Sequence, residues 1–241
     1  MSVRQWCFVV VGSTVLASSL AAQDRDYRAE LGGRGAPAAF VNAVAAQVDA
    51  AQAAGVPTGP VIDKAFEGWA KRVPAQRVVT ALEQVRMRLE SGRALSVAAG
   101  YAPPPEAMVA GAGEALARGL TEDDVRALIG GAPGPEAAAA GLTVAASMHA
   151  QGLERAAAVR AVQDAYGRGV EPAQLFELPS VVADLTGHGM QMGDLARRIM
   201  QGGGLPLPPM AGTGQGAGRP GQVPPGPGGQ QQGTGKQQRR Q

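Results

Sequence analysis

The feature that most restricts how this chain can fold is a repeated punctuation mark: a glycine, a large apolar residue, then a second apolar residue five positions further on. Leu120 is followed by Val125, Leu153 by Ala158, Val170 by Leu175 and Met190 by Leu195, and Gly119, Gly152, Gly169 and Gly189 lead these pairs. A closer copy links Val56-Pro57-Thr58-Gly59-Pro60-Val61-Ile62 to Val73-Pro74-Ala75-Gln76-Arg77-Val78-Val79, displaced by 17 residues. Gly55 leads the first of these, and Arg72 stands in the glycine's place in the second.

The mark reads as a helix end joined to a helix start. Glycine ends a helix in the left-handed conformation that a Cβ disfavours, and the next apolar residue folds back onto the last turn. A new helix then begins at once. Thr121 before Glu122-Asp123-Asp124 is an N-cap with acids in the first turn, and Glu171-Pro172 puts proline at the first helical position. One apolar residue therefore serves two helices, which gives the positions Val56, Val73, Leu120, Leu153, Val170 and Met190 a structural role at buried turns.

Between the marks the apolar spacing is helical: Phe40, Val44, Val48 and Ala51 share one face, and Val78, Leu82, Val85 and Leu89 share another. No alternating run of β-branched residues marks a strand. The expected fold is all-α, an irregular array of about eight to ten short antiparallel helices joined by tight turns. The helices are placed at 36–54, 59–71, 75–97, 105–118, 121–130, 135–151, 154–167, 172–187 and 191–201, with Pro179 breaking the 172–187 segment. The close intervals between marks, 56 to 73, 153 to 170 and 170 to 190, drift between 17 and 20 residues, unlike the tetratricopeptide or armadillo period.

Both ends of the chain differ from this body. Arg4, the apolar stretch from Trp6 to Ala17, and the small residues Ser19 and Ala21 form the three parts of an export signal, with cleavage expected after Ala21. That stretch is shorter than the roughly 18 to 20 apolar residues needed to cross a bilayer, and no later segment is a better candidate. The expected location is periplasmic or extracellular, with no transmembrane span in the mature chain. The single cysteine, Cys7, lies within the signal, so the mature chain would have no disulfide, thiolate metal site or cysteine nucleophile. Residues 202–241 contain 13 glycines and 7 prolines, a composition that cannot bury enough apolar surface to offset its ordering entropy, so a disordered tail is expected. The domain reading is thus a signal at 1–21, a helical body at 22–201 and a tail at 202–241.

Charge divides along the same lines. The tail carries Arg219, Lys236, Arg239 and Arg240 with no acid, which leaves 17 basic against 20 acidic residues in the body. A folded part without a basic excess argues against specific nucleic-acid binding. Arg239-Arg240 can make at most a weak contact with an anionic envelope surface.

The segments Gly55-Val56-Pro57, Lys64-Ala65-Phe66-Glu67-Gly68-Trp69-Ala70-Lys71, Val73-Pro74, Arg118-Gly119-Leu120 and Gly169-Val170-Glu171-Pro172 resemble a set of uncharacterised exported bacterial helical proteins. The resemblance covers most of the body and supports a helical fold. It implies no activity, because its motifs are turns rather than chemistry.

Residues with chemical potential all have simpler readings. His149 and His188 precede helix-ending glycines, where a helix C-terminus favours a cation, and neither has the neighbours of a metal site or triad. Asp63 and Glu67 lie four apart on one helix face, but Lys64 and Lys71 suit a solvated ion-pair face better than acid–base catalysis. Phe66 and Trp69 read as core. Gly111-Ala112-Gly113 follows no strand and is not a dinucleotide loop. Leu205-Pro206-Leu207-Pro208-Pro209 reads as a stiff spacer leading out of the body. No catalytic, cofactor or metal residue is assigned. The expected function is a non-catalytic interaction or scaffold protein of the cell envelope with an unidentified macromolecular partner, the alternative being an envelope hydrolase with acids drawn from separate helices. If the turn reading holds, Leu120→Ala should cost about 2 to 5 kcal/mol in urea unfolding, and a loss under about 0.5 kcal/mol would refute it.

Overall fold

Most of the described helices end in one recurrent backbone arrangement. The computed structural model describes residues 27–206. The expected signal segment with Cys7, and the tail from residue 207 onward, lie outside the described residues. Gly35, Gly55, Gly100, Gly119, Gly152, Gly169 and Gly189 have φ between +65° and +101°. At each, two amides turn back onto the helix they leave. At the Leu120 turn, Gly119 N–H donates to Leu116 O at 3.2 Å and Leu120 N–H to Ala115 O at 3.0 Å. This is the Schellman pattern, and it satisfies carbonyls that a helix C-terminus would otherwise leave unpaired. Arg72 makes the same two bonds, to Trp69 O from its own amide and to Gly68 O from the Val73 amide, both at 3.0 Å, but does so as a non-glycine with φ of +55°.

These turns connect α1 (27–33), α2 (Ala38–Ala53), α3 (Gly59–Ala70), α4 (Ala75–Ala98), α5 (Glu106–Ala117) and α6 (Glu122–Gly131), and an extended link through Ala132 leads from α6 to α7 (Pro135–Ala150). The chain continues through α8 (Arg155–Gly167), α9 (Pro172–Leu175), α10 (Leu178–Gly187), α11 (Met192–Arg198) and a closing π turn, Ile199–Gly203. The protein is all-α, with no strand among the described residues. The predicted boundaries agree to within a residue or two, and the chain leaves the helical path between Leu175 and Leu178, just ahead of Pro179. Sequence reading missed α1, together with the turns at Gly35 and Gly100.

The five-residue interval now has a structural cause. In the connections ending at Pro37, Pro74, Thr121, Glu154, Glu171 and Gln191, that last residue is an extended N-cap with ψ between 133° and 165°. The residue just before it is at once the third residue past one helix and the one preceding the next cap. From that place it meets the fourth residue of the new helix, the partnership called a hydrophobic staple. Five positions separate those two sites. The new-helix members Val78, Val125, Ala158, Leu175 and Leu195 are all at most 2% exposed.

Of the six turn positions singled out in the sequence, Val56, Leu120, Leu153 and Val170 are buried. Val73 and Met190 are only partly so, a correction to the expectation for all six. Val73 borders an open groove, and Met190 leads into α11, whose seven residues bury only Leu195 and Ala196 and present too little surface to enclose a methionine.

Packing forms two apolar cores joined by the 24-residue α4. Val78, Leu82 and Leu89 of α4 join residues of α1, α2 and α3 and Val109 of α5 in the first core, whereas Leu95 belongs to the second, built mainly by α5 to α11. Small residues allow the close crossings. A Cβ on Gly92 of α4 would lie 2.9 Å from the Ala112 Cβ of α5, and one on Gly113 would lie 2.9 Å from Leu89 Cδ2. The centre of the second core is α7, in which Ala137, Ala138, Ala140, Gly141, Leu142 and Val144 are all buried. Tyr166 of α8 lies across it, its hydroxyl donating to Ala137 O at 3.0 Å. A Cβ on Gly141 would fall 1.8 Å from that hydroxyl, so no larger residue fits without displacing the ring.

Polar groups lock one turn further. Thr121 and Asp124 form a capping box, with Thr121 N–H donating to Asp124 Oδ2 at 2.8 Å. Arg155, at the start of α8, donates to Thr121 Oγ1 at 2.9 Å and pairs with Asp124. Partial burial pushes the Asp124 carboxyl up, but the bonds from Thr121 and Arg155 together outweigh it and lower its pKa.

The body also extends further than expected. Leu205 is 2% exposed and its carbonyl accepts a hydrogen bond from Arg168 at 3.1 Å, so residues 202–206 belong to the folded part, and Leu205 is anchored instead of starting a spacer. The left-handed Arg72 yields a direct test of the turn energetics. An L-residue in that conformation costs about 1 to 2 kcal/mol, partly offset by the chain entropy that glycine loses on folding. Arg72→Gly should therefore raise unfolding stability by about 0.5 to 1 kcal/mol, whereas Gly119→Arg should lower it. A destabilised Arg72→Gly would show that the side chain itself holds the turn.

Candidate functional site

The amphipathic faces of α3 and α5 lie on either side of α4 and leave a groove of about 840 Å³ between them. Its floor is apolar and shallow in side chain: Leu89 and Val85 from α4 meet Ala110, Gly113 and Ala117 from α5. Its rim is charged. Asp63, Lys64 and Glu67 come from α3, Arg88 from α4 and Glu114 from α5. The small residues of α5 make the groove open, because larger side chains there would fill it.

Charge on the rim is locally neutralised. Glu67 accepts from Lys64 Nζ at 2.8 Å and from Lys71 Nζ at 2.6 Å, and Glu114 accepts from Arg118 at 2.6 Å. The Lys64 hydrogen bond, followed by that of Lys71, holds the Glu67 carboxyl down from 4.5 to about 2. Asp63 and Glu67 are both exposed, so the carboxylate pair noted in the sequence faces solvent. Burial, the usual means of raising a carboxyl into the range useful for proton transfer, is absent at this pair. Among the described residues, the Arg88 side chain reaches only Gln84 Oε1, at 3.5 Å.

The remaining candidates are separate from this groove. His149 Nδ1 lies 2.9 Å from Leu153 O, which ties the ring to the turn after α7, and His188 Nδ1 lies 2.7 Å from Asp184 O in the last turn of α10. Each ring closes its own turn. No group of three or more His, Cys, Asp or Glu is placed to hold a metal among the described residues. Gly111 and Gly113 lie within α5, where they admit neighbouring helices: a Cβ on Gly111 would lie 3.1 Å from Ala139 O of α7.

Phe66 and Trp69 are partly buried at the rim of the first core, not within it. Trp69 stacks on Phe40 with centroids 5.4 Å apart, and its indole N–H donates to Arg34 O at 3.2 Å. The Arg34 guanidinium lies 5.0 Å from the Phe66 centroid. Sequence reading had no signal for Arg34, whose place depends on how α1 packs against α3.

No helix among the described residues is long and apolar enough to cross a membrane. No family model matches the chain, and no curated protein or solved structure matches it.

The electrostatics of Glu67 can be measured directly. Its folded pKa lies below the ordinary value, so the ion pairs contribute above about pH 4 and are lost as pH falls toward about 2. Carbon-detected NMR of the Glu67 carboxyl should show a midpoint near about 2, rising toward about 4.3 in Lys64→Gln/Lys71→Gln. A wild-type midpoint above about 5 would reinstate it as a candidate general acid.

Proposed function

We propose that this is an exported, non-catalytic interaction protein of the bacterial cell envelope, and that the groove between α3 and α5 is where it receives a macromolecular partner. The observation that carries the reading is the groove's make-up: a small-residue apolar floor with acids and bases alternating along its rim. An apolar floor contributes the area-dependent part of binding, and a rim of mixed charge sets orientation and partner choice. This matches the way grooves accept an amphipathic helix, with apolar anchors inward and complementary charges at the edges. The pairing of Glu67 with two lysines favours binding over acid–base chemistry at the same place.

Export is supported by the pattern Arg4, Trp6 to Ala17, Ser19 and Ala21, and by the resemblance of the segments around Lys64 to Lys71 to exported bacterial helical proteins. The envelope is thus where the partner is to be sought.

Site-directed photocrosslinking tests the proposal. A photoreactive residue at exposed Ala107 or Ala117, along the α5 wall, should capture a discrete partner from envelope extract, while one at exposed Ala173 of α9 should not. Ala117→Glu with Ala107→Trp should abolish retention without changing thermal unfolding. Equal capture from all three positions, or none from the groove, would sink the reading.

A further inference from the structure

A second cavity joins two arginines to an aromatic and apolar wall. It measures about 580 Å³ and lies where the α3–α4 turn faces the segment after α1. Arg34 and Arg72 line it, with Trp69, Val73 and Pro74 as apolar walls and no acidic side chain in the lining. Arg34 is fixed from two sides, by the Phe66 ring beneath its guanidinium and by an ion pair with Glu30. Trp69 is fixed by its stack on Phe40 and its bond to Arg34 O. The walls are thus set before any ligand arrives, which lowers the ordering cost of binding.

Arg72 is the exposed, unspent charge of this cavity. Its guanidinium forms no hydrogen bond or ion pair with any described residue, whereas Glu30 already engages Arg34 and Glu67 engages Lys71. It also occupies the turn position that glycine fills at the seven comparable helix ends. Its side chain contributes nothing visible to the turn, whose two hydrogen bonds are backbone to backbone. A residue kept against its conformational preference, without an internal partner and at the mouth of a cavity, points to a ligand.

We infer that the Arg34–Trp69–Arg72 cavity binds a carboxylate carried on an apolar body, the carboxylate at the Arg72 guanidinium and the apolar part against Trp69, Val73 and Pro74. Arginine suits this role because its planar fork matches the two carboxylate oxygens, and the apolar walls give the rest of the ligand somewhere to leave water. The ligand could be a free alkyl carboxylate or the C-terminal carboxylate of an apolar peptide, which share this chemistry.

The test uses the full chain with Trp6→Phe, which leaves Trp69 as the only tryptophan. Octanoate should give a saturable change in Trp69 emission, and uncharged octanamide should bind at least about tenfold more weakly. Arg72→Gly should weaken octanoate about tenfold while unfolding at a higher temperature, which separates lost binding from lost folding. Arg72→Lys should recover only part of the affinity. N-acetyl-leucyl-leucine, with a free carboxylate, provides the peptide arm. Tighter binding of either probe supports the proposal and identifies its source. Equal affinity for octanoate and octanamide, undiminished binding in Arg72→Gly, or no saturation by either carboxylate up to about 10 mM would overturn it.

Discussion

Most of the described helix connections depend on a left-handed residue that ends one helix and an apolar residue that starts the next. The two backbone bonds of the Schellman turn direct the amide of that apolar residue back to the helix just completed, while its side chain is committed to the helix about to form. Because the following N-cap is extended, the reversal takes only four residues in most connections, and successive helices from α2 to α8 lie against one another. The turn therefore supplies direction, register and a buried side chain together. A chain poor in aromatics and rich in alanine needs this economy, since close approach of helices must replace bulk in its cores.

That close approach has a second consequence. Glycines at 92, 113 and 141 are positions where, in turn, a neighbouring helix, the Leu89 side chain and a tyrosine ring come too near for a Cβ. The same small-residue surface of α5 that packs against α4 and α7 continues outward as the floor of the α3–α5 groove. Packing and the candidate binding surface are thus two parts of one feature: where a neighbouring helix covers the small residues they form a core, and where none does they form a groove. On the rim, ion pairs between residues three or four apart neutralise most charges, which leaves Arg88 as a rim cation with no ion pair to a described residue.

The helices were legible in the sequence because their ends carry strong local chemistry. Gly119, Gly152, Gly169 and Gly189, Thr121 ahead of three acids, and Pro172 and Pro179 each impose a backbone constraint that acts within a turn or so of itself. Turns whose second residue is a weak apolar signal were harder to find. Gly35 is followed by Ala36, too small to stand out, and Gly100 by Tyr101 in a longer connection, so neither matched the mark. The end of the body at Leu205 was hidden by its neighbours, since a leucine among glycines and prolines becomes structural only when the second core receives it.

The sequence by itself determined the fold class, the helix boundaries and the dual role of the turn residues, because all three follow from interactions between residues about five apart. It also determined that Glu67 would be an exposed, lysine-paired acid, since Lys64 and Lys71 share its helix face. Only the tertiary structure decided that Phe66 and Trp69 lie at the rim of a core, that Arg34 reaches them from α1, and that α3 and α5 leave a groove over α4. Those arrangements join residues tens of positions apart, and which surfaces become covered or open depends on how whole helices cross. Crossing is set by the summed shape of many side chains, which no local pattern encodes.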